Sequence, residues 1–202
     1  MTENRQPATG AKRGRKRSEE SRQAILGAAF ELVDEVGYAA LTIEGIAARA
    51  GCGKQTIYRW WPSKAHVLME ALAAEGELGV TTADHGSYAA DLRAFLRDTF
   101  RLGGEPRIAG LLRVLIAEAQ IDPRFGEVFR AGLLERRRDA LRVVLDRAGE
   151  RGDLPSRPAP DTVLDIVFGV LWYRLLAIPQ PLDDALADDL TATLAPSAGG
   201  PA

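Results

Sequence analysis

The chain has 202 residues, 46% of them hydrophobic and 27% charged, with a net charge of −2. That is the length of one or two compact domains and the composition of an ordinary globular protein, which excludes a large multidomain assembly and pervasive disorder. The longest apolar run, Ile166 to Tyr173, is far short of the roughly 18 residues of a membrane-spanning helix, and no apolar segment follows the charged N-terminus, so a cytoplasmic address without a secretory signal is expected.

The charge is unevenly placed. Residues 1–66 carry 11 Lys and Arg against 7 Asp and Glu, and the remainder carries 15 against 21. A basic front and an acidic rear suggest that one end meets a polyanion. The densest run is Lys12, Arg13, Gly14, Arg15, Lys16, Arg17. With no apolar residue to anchor it, residues 1–17 are expected to form a disordered basic arm.

Ser18 followed by Glu19 and Glu20 has the pattern of an N-cap with acids in the first turn. It predicts a helix over about 19–36, with Ile25, Ala29, Leu32 and Val33 on one face and Gly37 at the end. Thr42 is the next cap, opening a two-turn helix that buries Ile43, Ile46, Ala47 and Ala50 before Gly51 and Gly53. A second short helix, Lys54 to Trp61, turns Ile57 and Trp61 to the core. Pro62 suits the first turn of a fourth helix through Val67, Leu68, Ala71 and Leu72. Residues 77–87 carry no apolar stripe and are expected to be a linker.

Beyond it, Leu92, Phe95, Leu96 and Thr99 mark one amphipathic helix; Ile108, Leu111, Leu112, Leu115, Ile116 and Ala119 mark a second. A longer helix spans about 123–150, with Arg136 to Arg138 partly outward, and Gly152, Pro155, Pro158 and Pro160 break it. Residues 161–178 are apolar almost all round and must be covered on every face, by their own domain and by a partner chain. Leu182, Leu186, Leu190 and Leu194 make the last helix. No strand alternation competes, so the fold class is all-α, about nine helices in two units, with 18–76 and 77–202 as the domains.

Two short helices joined by a Gly-containing turn, behind a longer helix, are the layout of a helix-turn-helix that reads the major groove of double-stranded DNA. Base-edge and phosphate contacts then concentrate at Lys54, Gln55, Thr56, Tyr58 and Arg59. The run Leu41-Thr42-Ile43-Glu44-Gly45-Ile46-Ala47-Ala48-Arg49-Ala50-Gly51-Cys52-Gly53-Lys54-Gln55-Thr56-Ile57-Tyr58-Arg59-Trp60-Trp61-Pro62-Ser63-Lys64 resembles the DNA-binding signature of the tetracycline-repressor-like (TetR) family of bacterial transcriptional regulators. The likeness reaches back through Arg22, Ile25, Ala28, Ala29, Gly37 and Tyr38, covering about 18–68.

The resemblance implies that Thr42 caps its helix near a phosphate, that Lys54, Gln55 and Thr56 open the recognition helix, that Tyr58 bonds the DNA backbone and that Lys64 holds a phosphate. Arg59 pairs with guanine or with phosphate, and both remain open. Three positions depart from the family pattern: Cys52 for valine, Gly53 for serine or threonine, and Trp60 for histidine. Gly53 removes the side-chain cap of the recognition helix. Trp60 divides between surface packing and DNA contact through its indole N–H. Arg13 and Arg15 are candidates for the minor groove, and Cys52 for a small buried hydrophobe.

Gly51 to Thr56 does not make a phosphate-binding loop, because Ala48 stands where the first glycine is required and Gln55 follows the lysine. His66 and His85 lack ligand partners at metal spacing, so neither a metal nor a cofactor is expected. No nucleophile–base arrangement points to an enzyme.

A palindromic operator read by a homodimer follows from the small size of one reading head. Val167, Leu171, Leu186 and Leu190 are the expected dimer interface, so charges at Leu171 or Leu186 should make monomers. The remaining helices are expected to enclose an apolar pocket for a small-molecule effector, lined by Phe100, Leu115, Glu118, Phe168 and Trp172, with Glu118 favouring a cation if it faces inward. The alternative is a ligand-independent DNA-binding or architectural protein. A cavity of several hundred Å³ favours the sensor, and solidly packed helices favour the alternative.

Overall fold

The computed structural model describes residues 10–74 and 81–196, with side chains placed for 18–73 and 81–196. Every regular element among the described residues is a helix: α1 (Gly10–Ala40), α2 (Ile43–Arg49), α3 (Lys54–Tyr58), α4 (Lys64–Ala74), α5 (Tyr88–Gly104), α6 (Pro106–Ile121), α7 (Pro123–Phe129), a π-helical segment (Arg130–Glu135), α8 (Arg136–Arg151), α9 (Pro160–Leu176) and α10 (Asp184–Leu194). The expected nine helices are these ten with the unbroken run from α7 through the π segment to α8 taken as one. The chain divides into two compact units between residues 74 and 75.

In the first unit α1 starts at Gly10, so Ser18 is an interior helical residue and not a cap. Ala, Lys and Arg are good helix formers, and the run Ala11 to Arg17 continues the helix backwards. The backbone of 10–17 is therefore helical where a disordered arm is expected; residues 1–9 and the side chains of Arg13 and Arg15 lie outside the described residues. At its other end, helical geometry breaks at Gly37, with φ 75° and ψ 165°, a conformation that costs glycine alone little.

Ile25, Ala29, Ile46, Ile57, Ala65, Val67 and Leu68 are fully buried. The Lys64 ammonium donates to the carbonyls of Tyr38 and Leu41 at 2.8 and 2.9 Å and lies 4.1 Å from the Tyr38 ring centre, closing the end of α1 onto the start of α4. Pro62 lies ahead of α4 rather than in its first turn. Ser63 stands at the cap position, its carbonyl accepting from the Val67 amide at 3.3 Å.

In the second unit α5, α8, α9 and α10 share one core, built from Phe95, Leu96, Phe100, Leu141, Leu145, Val163, Val167, Leu171 and Leu186, among others. Side-chain caps set the helix starts: Ser87 for α5, Glu105 for α6, Asp122 for α7 and Asp183 for α10, each accepting from an amide of the first turn. A Cβ on Gly126 would stand 2.7 Å from the Ala119 carbonyl oxygen, so the close approach of α7 to α6 requires glycine there.

The segment 81–87, expected to be linker, is bonded to α8 instead. Buried Asp91 accepts from the His85 amide at 2.6 Å and from Arg151 at 2.9 Å, with Arg147 at 3.5 Å. Arg147 donates to the Thr82 carbonyl at 2.6 Å, and Arg151 to Asp84 at 2.7 Å. The polar residues that look like a linker are the partners of two arginines on a helix.

Burial works against the Asp91 carboxylate, but the His85 amide and the Arg151 and Arg147 guanidinia outweigh it and hold its pKa below the ordinary aspartate value. A depressed folded pKa gives stability that is present above the unfolded value of about 3.9 and is lost as pH falls through the lower folded value. Urea unfolding from pH 7 to 2 should therefore show a fall in stability below about pH 4 that Asp91→Asn makes shallower. Asp91→Ala should cost about 2–3 kcal/mol at pH 7, since it removes charge-assisted hydrogen bonds whose arginines keep some access to water.

Candidate functional site

The first unit presents a reading head. Helix α3 has only five residues and would not persist alone in water; it is held by Ile57, fully buried on its inner face, and by Trp61 just beyond it. With that face fixed, Lys54, Gln55, Tyr58 and Arg59 are exposed and Thr56 is half-exposed. Gly53 stands at the cap with no side-chain hydrogen bond, as glycine dictates. Cys52, expected to be buried, is half-buried, and burial raises its thiol pKa, which keeps it protonated at neutral pH.

The other members of the head fall into two groups. The Thr42 hydroxyl caps α2 by accepting from the Gly45 amide at 3.0 Å, which leaves its own O–H to donate outward. Exposed Lys54 meets exposed Glu44 at 3.4 Å, a solvated pair that a phosphate can replace at little cost. The Arg59 guanidinium lies 5.1 Å from the Trp60 ring centre, and Trp60 stacks edge-on against Trp61 at 5.3 Å. Trp60 thus packs on the fold while remaining half-exposed. Lys64 differs from the others, because two of its three donors already bond backbone carbonyls.

The second unit contains a cavity of about 320 Å³ between α5, α6, the π segment, α8 and α9. Phe168 and Trp172 line it as expected. Phe100 and Leu115 do not; both are fully buried in packing. Glu118 is half-exposed on α6 and is not on the wall either, so the expected attraction for a cation has no basis there.

The wall carries other polar groups instead. Thr99 is buried and its hydroxyl has no hydrogen-bond partner among the described residues. Arg137 lines the same cavity with a buried Nη1 in the same condition, and burial pushes its pKa down to about 10, so it stays protonated at neutral pH. Arg138 and Asp165, also on the wall, pair at 2.9 Å.

Three of the four expected interface residues, Val167, Leu171 and Leu186, are buried in the core of their own unit, and Leu190 packs against that core. Val167, Leu171 and Leu186 therefore have little surface left for a partner chain, whereas half-buried Leu190 keeps part of its surface open. A charge at Leu171 or Leu186 would break the core rather than simply release monomers. The apolar surface that α9 leaves open is centred on Tyr173, 57% exposed, and Leu176, 46% exposed, with half-buried Ile166 and Val170 beside them packed partly against the core.

Residues 25–71 match the family described as bacterial regulatory proteins, tetR family, and residues 82–194 match the tetracyclin repressor-like C-terminal domain. The chain is 31% identical over 180 residues to the uncharacterized HTH-type transcriptional regulator YdeS of Bacillus subtilis, across 89% of this chain and 90% of that one. Among solved structures, the TetR family transcription regulator SCO0332 superposes with a TM-score of 0.72 at 31% identity, covering 90% of this chain and all of that one. The fold also matches Thermus thermophilus FadR, a transcriptional repressor crystallised with lauroyl-CoA, with a TM-score of 0.66 at 22% identity over 89% of this chain and 100% of that one.

Proposed function

Since the chain belongs to the TetR family of bacterial DNA-binding transcriptional regulators, we propose that it is a ligand-responsive repressor, a homodimer that holds a palindromic operator until a small molecule enters the second unit. The observation that carries this reading is the cavity of about 320 Å³, whose largely apolar wall carries buried polar atoms without a hydrogen-bond partner among the described residues, the character of a small-molecule site. Helices packed solid would have favoured the ligand-independent alternative. Thermus thermophilus FadR, of the same fold, is a repressor that holds an acyl-CoA.

One α3 makes few base contacts, so two copies related by a twofold axis supply both affinity and specificity, with half-sites about 34–36 Å apart. The exposed Tyr173 and Leu176 of α9, with half-buried Ile166 and Val170 beside them, are the surface such a pairing would cover. Moving the population from 99:1 to 1:99 between operator-bound and released states takes about 5.5 kcal/mol of differential ligand affinity, or about 2.7 from each of two cavities.

Selection on random duplexes should return a palindrome, and titration of that duplex at several salt concentrations should give a linear log–log dependence. Lys54→Ala should weaken all duplexes alike and reduce the salt slope by about 1. Arg59→Ala separates the two roles left open for Arg59. Relaxed specificity at one base pair marks a guanine contact, and uniform weakening marks a phosphate contact. Failure to prefer any duplex over scrambled competitor would overturn the function.

A further inference from the structure

We propose that the cavity of the second unit takes an amphipathic monoanion, an apolar chain or ring ending in one carboxylate-type group, with Arg137 as its counter-charge and the Thr99 hydroxyl as a second donor. The inference rests on the reading of this cavity as the effector site and names the chemistry it selects.

Three side chains on the wall carry charge. Arg138 and Asp165 neutralise each other at 2.9 Å, and Asp165 is largely exposed, which places that pair toward solvent. Arg137 is left with the net positive charge, and its Nη1 is buried without a partner among the described residues. A buried guanidinium donor without an acceptor is costly, and native interiors rarely keep one. The Thr99 hydroxyl, buried on the same wall, is a second such group. Two unsatisfied polar groups in one apolar cavity are both relieved by a ligand oxygen that accepts hydrogen bonds, and only an anion also relieves the charge. The rest of the wall, including Leu102, Leu112, Leu133, Leu134, Phe168 and Trp172, offers hydrocarbon surface for the body of the ligand.

The π-helical segment serves this arrangement. It supplies Leu133 and Leu134 to the wall and leads directly into the turn that carries Arg137 and Arg138. Such segments inside helices are frequent at functional sites. A cation is disfavoured by the same charge, and a neutral ligand leaves Arg137 uncompensated.

The probes are decanoate, 1-decanol and decylamine, which share one chain and differ in head charge. Calorimetric titration of the full chain should give decanoate an affinity about ten- to a hundredfold above 1-decanol, the range of a charge-assisted hydrogen bond, and decylamine the weakest. Arg137→Met should bring decanoate down to the level of 1-decanol while 1-decanol binds as before. Its ligand-free form should melt no lower than the parent, because a buried unpaired charge is gone. Thr99→Val should weaken decanoate less than Arg137→Met does. Absence of saturable decanoate binding, equal or tighter binding of decylamine, or a decanoate preference that survives Arg137→Met would overturn the inference. Operator titration with each probe separates the two proposals. Decanoate bound through Arg137 without change in operator affinity overturns the effector role and leaves the anion site standing. Operator release by decylamine or 1-decanol in preference to decanoate overturns the anion site and leaves the effector role standing.

Discussion

Glutamate at Tyr173 is expected to give a folded monomer whose affinity for the full operator has dropped by about 10²–10⁴-fold, the avidity that linking two reading heads supplies. Tyr173 is 57% exposed on α9, so a charge there loses no contact within the protomer's core and stays hydrated in the monomer. In a twofold pairing the same carboxylate would face an apolar stripe and its own symmetry mate, which costs several kcal/mol of desolvation and repulsion. Leu176→Glu, also exposed on α9, should act in the same direction. The contrasting variant is Val167→Asp, on the same helix but fully buried. It should unfold the second unit, since a carboxylate without a partner replaces a core methyl pair. Sedimentation, far-ultraviolet circular dichroism and operator titration on the three variants separate the cases. A Tyr173→Glu protein that remains dimeric, or a monomer that holds the full operator with undiminished affinity, would place the interface elsewhere.

That contrast marks the limit of what the chain's pattern reveals about α9. An apolar surface on every side says that each face is covered, but not which face is covered by which neighbour, and so Val167 and Leu171 look as suited to a partner as Val170 and Tyr173. The cover that α8, α5 and α6 place on it decides the matter, and those contacts are far apart in sequence. The reading head is different. Its geometry comes from local signals, Thr42 as a cap, glycines at 51 and 53, and Ile57 four residues from Trp61, so its exposed residues follow from the sequence alone. Lys64 is an exception because its acceptors, the carbonyls of Tyr38 and Leu41, lie at the end of α1 and just beyond it, more than twenty residues away in sequence. Arg137 did leave a trace. Leu133, Arg137 and Leu141 stand four apart on one helical face, and both leucines are buried. The run Arg136-Arg137-Arg138 disguises this by resembling a solvated charge cluster.

Removing the ring of Trp61 is expected to have the largest effect on the first unit. Its indole is 3% exposed, its Nε1 donates to Glu70 at 2.8 Å, and Glu70 also pairs with Arg22, so one aromatic ring joins the end of the α3 segment to α4 and α1. Trp61→Ala should cost about 3–5 kcal/mol through the cavity it opens, with a further loss from a half-buried carboxylate deprived of one donor. Helix α3 has a single other fully buried anchor, Ile57, so operator binding should disappear even where helical content survives. Trp61→Phe keeps most of the packing and should lose only about 1 kcal/mol with the indole hydrogen bond, and should retain DNA binding. The pair of variants tests whether ring volume or the hydrogen bond fixes the pose of α3. Urea unfolding followed by circular dichroism gives the stabilities, and operator titration gives the function. Wild-type binding by Trp61→Ala would mean that the recognition helix is held by something other than this ring.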